Sequence, residues 1–270
     1  MASLVRPAAV AGQFYPAGRE TLISEVREYA KPADIRKSAI GCVVPHAGYM
    51  YSAHVAGALY STLELPKRYI ILCPNHTGVG APLAIMSEGA WQTPLGEVPI
   101  DTELAEALRS KFPLLSEDDT AHRGEHAIEV QLPFLQVLVG DFKFVPIAVG
   151  IGRLEVLQAL GKVMSDAIRG SADPVMIIAS SDMNHYESDS ITREKDHKAI
   201  GRVLALDPTG LYDTVKREHI TMCGYGPTVA MLTGAPKVGA KRAELVKYAT
   251  SGDISGDRER VVGYASIAVM

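Results

Sequence analysis

Three histidines stand where an α/β sheet would do its chemistry. The apolar run 39–44 ends in Pro45-His46-Ala47-Gly48-Tyr49, and the run Tyr69-Ile70-Ile71-Leu72-Cys73 ends in Pro74-Asn75-His76. A third run, 175–180, leads through Ser181 and Asp182 to Asn184-His185. Each reads as a buried strand with a histidine just past its carboxyl end, the edge at which open α/β sheets bind ligands. Neutral imidazole is the commonest metal ligand and suits iron, copper and zinc. One strand-end histidine is satisfied by ordinary loop hydrogen bonds. Three in the same position argue that His46, His76 and His185 share a site.

Other residues could complete such a site. Asp182, three before His185, could orient an imidazole or raise its basicity, or could simply cap the turn after the strand. Cys223 lies in Cys223-Gly224-Tyr225-Gly226-Pro227, a glycine-rich turn before a helix, where a thiolate would be favoured and could ligate a soft metal. Cys42 and Cys73 sit inside apolar strands and read as core. Glu125, His126 and Glu129 form a further cluster; His126 and Glu129 share a helical face, with His122 one turn earlier. Such a cluster could be half a metal site, or an acidic helix start suited to the helix dipole. There is no phosphate loop, no Gly-x-Ser-x-Gly elbow and no Gly-x-Gly-x-x-Gly after the first strand. Ser180 or Ser181 beside a histidine would suit a hydrolase, but three strand-end histidines fit a metal better.

The elements that must position these residues alternate from 39 to 235, which predicts one α/β domain with a mostly parallel sheet. Helices are expected at about 19–30, 53–63 with Ser52 as cap, 101–111, 126–139 with Pro133 as an internal irregularity, 154–168, 192–206, 207–218 and 227–232. Residues 83–86 and 144–149 read as strands, 91–99 as a loop or hairpin, and 116–125 as an exposed polar loop. Residues 243–250 and 261–269 read as an antiparallel pair joined by the polar loop 251–260. Strand, helix and strand over 39–76 have the length of a parallel βαβ unit.

The 270 residues suffice for one large core, and 47% hydrophobic with 21% charged residues is ordinary globular composition. A net charge of −4 gives no reason to expect nucleic acid or an anionic membrane as partner. No apolar run approaches the roughly 20 residues of a membrane span. The stretch Met1-Ala2-Ser3-Leu4-Val5-Arg6-Pro7 lacks a signal peptide's charged start and apolar core. Three widely spaced cysteines do not suggest a disulfide framework, so a reducing cytoplasm is expected.

Five ordered motifs resemble those of the Memo family, whose prokaryotic members are called AmmeMemoRadiSam system protein B. They are Pro45-His46-Ala47-Gly48-Tyr49, Pro74-Asn75-His76, Glu125-His126-Ala127-Ile128-Glu129-Val130-Gln131-Leu132-Pro133, Ser180-Ser181-Asp182-Met183-Asn184-His185 and Cys223-Gly224. Ala11-Gly12-Gln13-Phe14-Tyr15 also resembles that family's Ala-Gly-Ser-Trp-Tyr stretch, so the likeness covers nearly the whole chain as a single domain, 1–270.

The resemblance implies a fold similar to class III extradiol dioxygenases, which use non-haem Fe(II): a three-layer α/β fold with a mostly parallel central sheet. It places His46 and His76 as metal ligands, His185 as a further ligand in the acid/base position at the same centre, and Cys223 where those dioxygenases supply a glutamate. A thiolate there favours softer metals such as Cu(I), so the cofactor is expected to be Fe(II) or copper. On this reading His185 acts as acid/base with Asp182 orienting it. Glu125, His126 and Glu129 form the wall or the layer directly behind the ligands, and Tyr15 and Tyr49 are placed to stack on a planar, aromatic substrate. The alternatives are a peptide-binding module on a disused dioxygenase pocket and a metal-binding protein without turnover. The family name also implies radical SAM and AMMECR-like partner proteins.

Overall fold

A computed structural model describes residues 4–270; Met1, Ala2 and Ser3 of the N-terminal stretch lie outside the described residues. In chain order, β1 (Val5–Arg6) and α1 (Arg19–Tyr29) precede β2 (Gly41–Val44), α2 (Tyr49–Ser61) and β3 (Arg68–Pro74). There follow β4 (Leu83–Ile85), β5 (Ala90–Thr93), β6 (Gly96–Pro99), α3 (Thr102–Arg109), β7 (Ser116–Glu117) and α4 (Thr120–Arg123). A 3-10 turn at Glu129–Gln131 leads into α5 (Leu132–Leu138), then β8 (Lys143–Val149), α6 (Leu154–Arg169), β9 (Val175–Ser180) and β10 (His185–Glu187). The remaining elements are α7 (Asp189–Leu204), α8 (Pro208–Arg217), α9 (Tyr225–Gly234), β11 (Ala243–Thr250), α10 (Gly252–Ser255) and β12 (Val261–Val269).

The centre of the main sheet is four parallel strands in the order β2-β9-β3-β8. β12 adds antiparallel to β2, and β11 antiparallel to β12, which is the expected C-terminal pair. At the other edge β4 runs antiparallel to β8 and carries β7. β1, β5 and β6 make a separate small sheet, with β5 and β6 as the hairpin expected at 91–99.

The apolar runs are continuous because both faces of the parallel strands are covered, and side chains alternate between them. Val43, Ile70, Leu72, Ile147 and Ile177 pack on one face with Leu157 and Leu160 of α6 and Val229 of α9. Cys42, Val44, Ile71, Cys73 and Ile178 pack on the other with Leu22 and Val26 of α1, Leu59 of α2 and Phe134 of α5. The result is the expected three layers. Among the described residues no helix is long and apolar enough to cross a membrane.

Register decides what meets at the carboxyl edge. Val44 is level with Ser180, and Leu72 with Ala179, so β2, β9 and β3 stop at one height. The chain then turns, and His46, Asp182 and His76 follow within four residues of those level positions.

Local boundaries differ from the sequence reading for physical reasons. α2 starts at Tyr49, not Ala53: Gly48 is its N-cap, and the Ser52 hydroxyl bonds back to the Ala47 carbonyl inside the first turn. Pro133 lies in the first turn of α5, where its missing N–H costs nothing, so it is a helix start and not an irregularity within one. The segment 116–125 is an exposed loop only in part: Ser116, Glu117, Arg123 and Gly124 face solvent. His122 and Glu125 are fully buried, and Arg6 caps the His122 and Glu125 carbonyls at 2.6 and 2.7 Å. Those two carbonyls are satisfied inside the fold, whereas neither ring nitrogen of His122 has a hydrogen-bond partner among the described residues.

One buried carboxylate ties three elements to the loop before β10. Asp196 of α7 accepts the Asn184 N–H at 2.8 Å and the Tyr248 hydroxyl of β11 at 2.7 Å. Gly263 of β12 leaves it room, since a Cβ there would sit 1.8 Å from Asp196 Oδ2. Burial pushes the Asp196 carboxyl up to about 7 against those hydrogen bonds. A folded pKa raised this way means stability is greatest below the unfolded value and is lost as pH climbs toward 7. Asp196→Asn should therefore gain on the wild type between pH 4 and pH 7 by on the order of 3 kcal/mol, and no further above that. Denaturant unfolding across this range measures it; a stability difference that does not move with pH contradicts the assignment.

Candidate metal centre

The turns after β2, β3 and β9, with the turn before α9, enclose a cleft of about 600 Å³. His46, His76 and Cys223 each offer one donor atom to it, and these atoms lie within 4.8 Å of one another. His46 Nε2 is 3.2 Å from Cys223 Sγ. Ligands bound at 2.0–2.3 Å in tetrahedral geometry stand roughly 3.3–3.8 Å apart, so the trio is close to the spacing a metal ion requires. Two imidazoles and a thiol are a donor set suited to a borderline or soft ion.

Cys223 reaches this position because the turn before α9 is pressed against the end of β9. The Gly224 N–H donates to Ser181 Oγ at 3.0 Å, and a Cβ on Gly224 would fall 2.4 Å from the Ser180 carbonyl oxygen. The Asp182 N–H donates to the sulfur at 3.3 Å. The expected thiolate is not what the metal-free site favours: burial, then the Asp182 carboxylate, push the thiol up. A bound cation would have to supply the charge that the helix terminus does not.

Glu125 is the strongest fixed charge in the site. Its carboxylate accepts the His76 and Ala127 backbone N–H groups at 2.7 and 2.9 Å and meets His76 Nδ1 at 3.0 Å. Burial alone would raise it, yet these partners hold it at about 2. Burial pulls His76 down, but the Glu125 carboxylate outweighs it and raises the imidazole. A carboxylate accepts only, so His76 keeps its proton on Nδ1 and turns Nε2 to the cleft. His126 stacks on His76 with centroids 4.9 Å apart, and with His76 and Glu125 makes a second group of donors within 4.8 Å. His46 is buried and held well below the usual histidine range, by desolvation and then by His126 and His76.

His185 lines the same cleft but stands outside both donor groups. Its Nδ1 meets the Thr221 carbonyl at 3.0 Å and its N–H meets Thr221 Oγ1 at 2.7 Å, which again leaves Nε2 free. Tyr186 beside it has a left-handed backbone (φ 63°) and is 64% exposed at the cleft mouth. Phe14, Tyr264 and Val262 complete the apolar walls.

Fold and site together define a class: an α/β protein with a histidine–histidine–thiol donor set at the carboxyl edge of a parallel sheet. A family model described as Memo-like protein matches residues 6–268, and the chain belongs to that family. A MEMO1 family protein of Methanosarcina mazei is 45% identical over 267 residues, covering 98% of this chain and 99% of its own. Another from Methanopyrus kandleri is 44% identical over 276 residues, covering 97% and 98%. A third, from Archaeoglobus fulgidus, is 44% identical over 263 residues, with the same coverage. Among solved structures, the uncharacterized protein JW3007 of Escherichia coli K12 matches with a TM-score of 0.50, covering 84% of this chain and 98% of that one. At 11% identity that likeness is one of fold alone.

The expected site residues separate into two groups. His46, His76, His126, Asp182, His185 and Cys223 all line the cleft, with Glu125 directly behind His76. Asp182 does not orient His185: its carboxylate accepts the His46 backbone N–H at 2.8 Å, and the Thr221 carbonyl holds His185 instead. Tyr15 and Tyr49 do not stack on anything in the cleft. Both are buried, their hydroxyls bonded to Glu129 Oε1 at 2.5 Å and to the Val130 carbonyl at 2.8 Å. The cleft aromatic from that motif is Phe14, one residue earlier, and Tyr186 lines the cleft as well. Thr221 carried no signal, and Ser180 and Gln131 stood out only as members of longer motifs, because a hydroxyl or amide declares its role only once its partners are known.

Glu129 does not form the cleft wall. It pairs with Arg6 at 2.6 Å, both side chains being almost wholly buried, and accepts the Ala9 and Val10 N–H groups. It locks the N-terminal segment to the start of α5. Glu129→Ala strands the Arg6 charge and should cost roughly 3–5 kcal/mol in denaturant unfolding, while metal stoichiometry is unchanged. Loss of metal with stability intact would return Glu129 to the site.

Proposed function

We propose that the protein is a metal-dependent oxidoreductase that accepts a small, planar, aromatic substrate, with Fe(II) or copper held by His46, His76 and Cys223. The observation that supports this most directly is the convergence of three ligand-type atoms within 4.8 Å in an open cleft. When bound, such an ion supplies Lewis-acid and one-electron redox chemistry. The chain's own residues do the rest. His185 holds or releases a proton at Nε2 while Thr221 keeps its Nδ1 occupied. Phe14 and Tyr186 offer faces for a flat ring and exclude water from one side of it. Asp182, raised by burial, sits against the sulfur and the His46 backbone and sets the charge on that side of the cleft.

Cys223 in place of a carboxylate supports copper over iron within this reading, and it equally supports a second one, a metal- or peptide-binding module without turnover. The buried free thiols Cys42 and Cys73 accord with a reducing cytoplasm. Association with radical SAM and AMMECR-like proteins is carried as a proposal from the family name.

Protein purified anaerobically and supplied with Fe(II) or Cu(I) should bind one ion per chain by elemental analysis and consume oxygen with aromatic diols. One ion without oxygen uptake supports a metal-binding module, and no ion in the wild type defeats the oxidoreductase and favours a peptide-binding module. His76→Ala should abolish stoichiometric binding at little cost in stability, because the ring is exposed at the cleft wall. Cys223→Ser should lower Cu(I) affinity at least tenfold more than Fe(II) affinity, since an alcohol is a harder ligand. An unchanged affinity ratio would remove Cys223 from the ligand set.

A further inference from the structure

Only the unprotonated nitrogen of a neutral imidazole can bind a metal, and the group behind the ring selects which nitrogen that is. Behind His76 and His185 stand a carboxylate and a carbonyl, which only accept. Behind His46 stands Ser180 Oγ, 2.9 Å from Nδ1. A hydroxyl can donate or accept, so that contact by itself leaves the tautomer open.

The surrounding network closes it. Ser180 Oγ lies 2.7 Å from the Ala127 carbonyl, which can only accept, and the single hydroxyl proton goes there. Gln131 Nε2 lies 3.1 Å from the same oxygen. The orientation of the Gln131 amide is set by the Pro45 carbonyl, to which Nε2 donates at 2.9 Å, and Oε1 then accepts from the Tyr60 hydroxyl at 3.0 Å. Reversing the amide would set oxygen against oxygen at Pro45. Gln131 therefore donates to Ser180 and occupies one lone pair. The lone pair that remains faces His46 Nδ1, which has to be N–H. His46, Tyr60, Gln131 and Ser180 are each at most 2% exposed, so no solvent is at hand to replace a missing partner. The carbonyl that orients Gln131 belongs to the residue preceding His46, which couples the relay to the ligand's own backbone.

We propose that Gln131 and Ser180 are positioning residues that hold His46 as its Nδ1–H tautomer and so dedicate Nε2 to the cleft, beside Cys223. The consequence for metal affinity rests on the proposed ligand set; the tautomer does not.

Long-range proton–nitrogen spectra of the metal-free protein read the tautomer, with His46 assigned by its disappearance in His46→Ala. Wild-type His46 should show its proton on Nδ1. Ser180→Ala should move it to Nε2, where Cys223 and Asp182 offer acceptors, and weaken Cu(I) binding by roughly ten- to a hundredfold. Gln131→Leu frees a Ser180 lone pair, lets the hydroxyl turn, and should give a mixture of both tautomers. His46→Ala serves only for assignment. A wild-type proton on Nε2 overturns the proposal even if neither variant folds, and so does Ser180→Ala with an unaltered His46 spectrum. A protein that shows the Nδ1–H form yet binds no metal defeats the metal reading and leaves the relay standing; metal bound to a protein whose free His46 is Nε2–H does the reverse.

Discussion

The whole arrangement depends on the register of three parallel strands. β2, β9 and β3 are buried on both faces, and their ladder hydrogen bonds and interdigitated side chains allow no slip: a one-residue shift would exchange the two faces of each strand. Because Val44 and Ser180 are level, and Leu72 and Ala179 are level, three unrelated stretches of chain end at the same height. The chemistry is thereby delegated to the first two or three residues of each turn. Such turns are the least constrained part of an α/β protein, and here each is pinned by a polar group reaching across from another.

Those polar groups are what distinguish a site from a coincidence of histidines. Three of the four cleft imidazoles have their far nitrogen engaged by a hydrogen bond, with Ser180 for His46, Glu125 for His76 and Thr221 for His185. The three acceptors differ in charge. A buried anion behind His76 makes that ring the stronger electron donor, whereas His46 is backed by a neutral hydroxyl and surrounded by other imidazoles. An ion held between them would meet unequal ligands. The thiol of Cys223, kept protonated by burial and by Asp182, is the third and most conditional donor, since its charge would come with the ion.

Glu125 and Glu129 show how similar residues on one short segment are put to different uses. Both are completely buried. Glu125 faces the cleft side and is neutralised by backbone amides and His76, whereas Glu129 faces the N-terminal segment and is neutralised by Arg6 and Tyr15. The 3-10 turn at Glu129–Gln131 also points Gln131 back toward Pro45 and Ser180. A regular helix from His126, with Pro133 inside it, would not distribute the three side chains in these directions.

The sequence by itself determined the layers, the parallel order of the apolar runs as α/β units, the histidines at their carboxyl ends and, through the Memo resemblance, the place of Cys223. These were legible because they rest on periodicity and on residue types with few alternative uses. Ala53 as a helix start, Tyr15 and Tyr49 as substrate platforms, Glu129 as a cleft wall and Asp182 as the partner of His185 were decided otherwise by the tertiary structure. Each depends on which way a polar or aromatic side chain turns, and that is set by partners elsewhere in the chain, from Ala47 for Ser52 and Thr221 for His185 to Val130 for Tyr49 and Glu129 for Tyr15, the last two more than 80 residues away. Hydrophobic pattern is a local property that survives in one dimension. The direction of a buried hydrogen bond is not, because it exists only when both of its ends have been brought together.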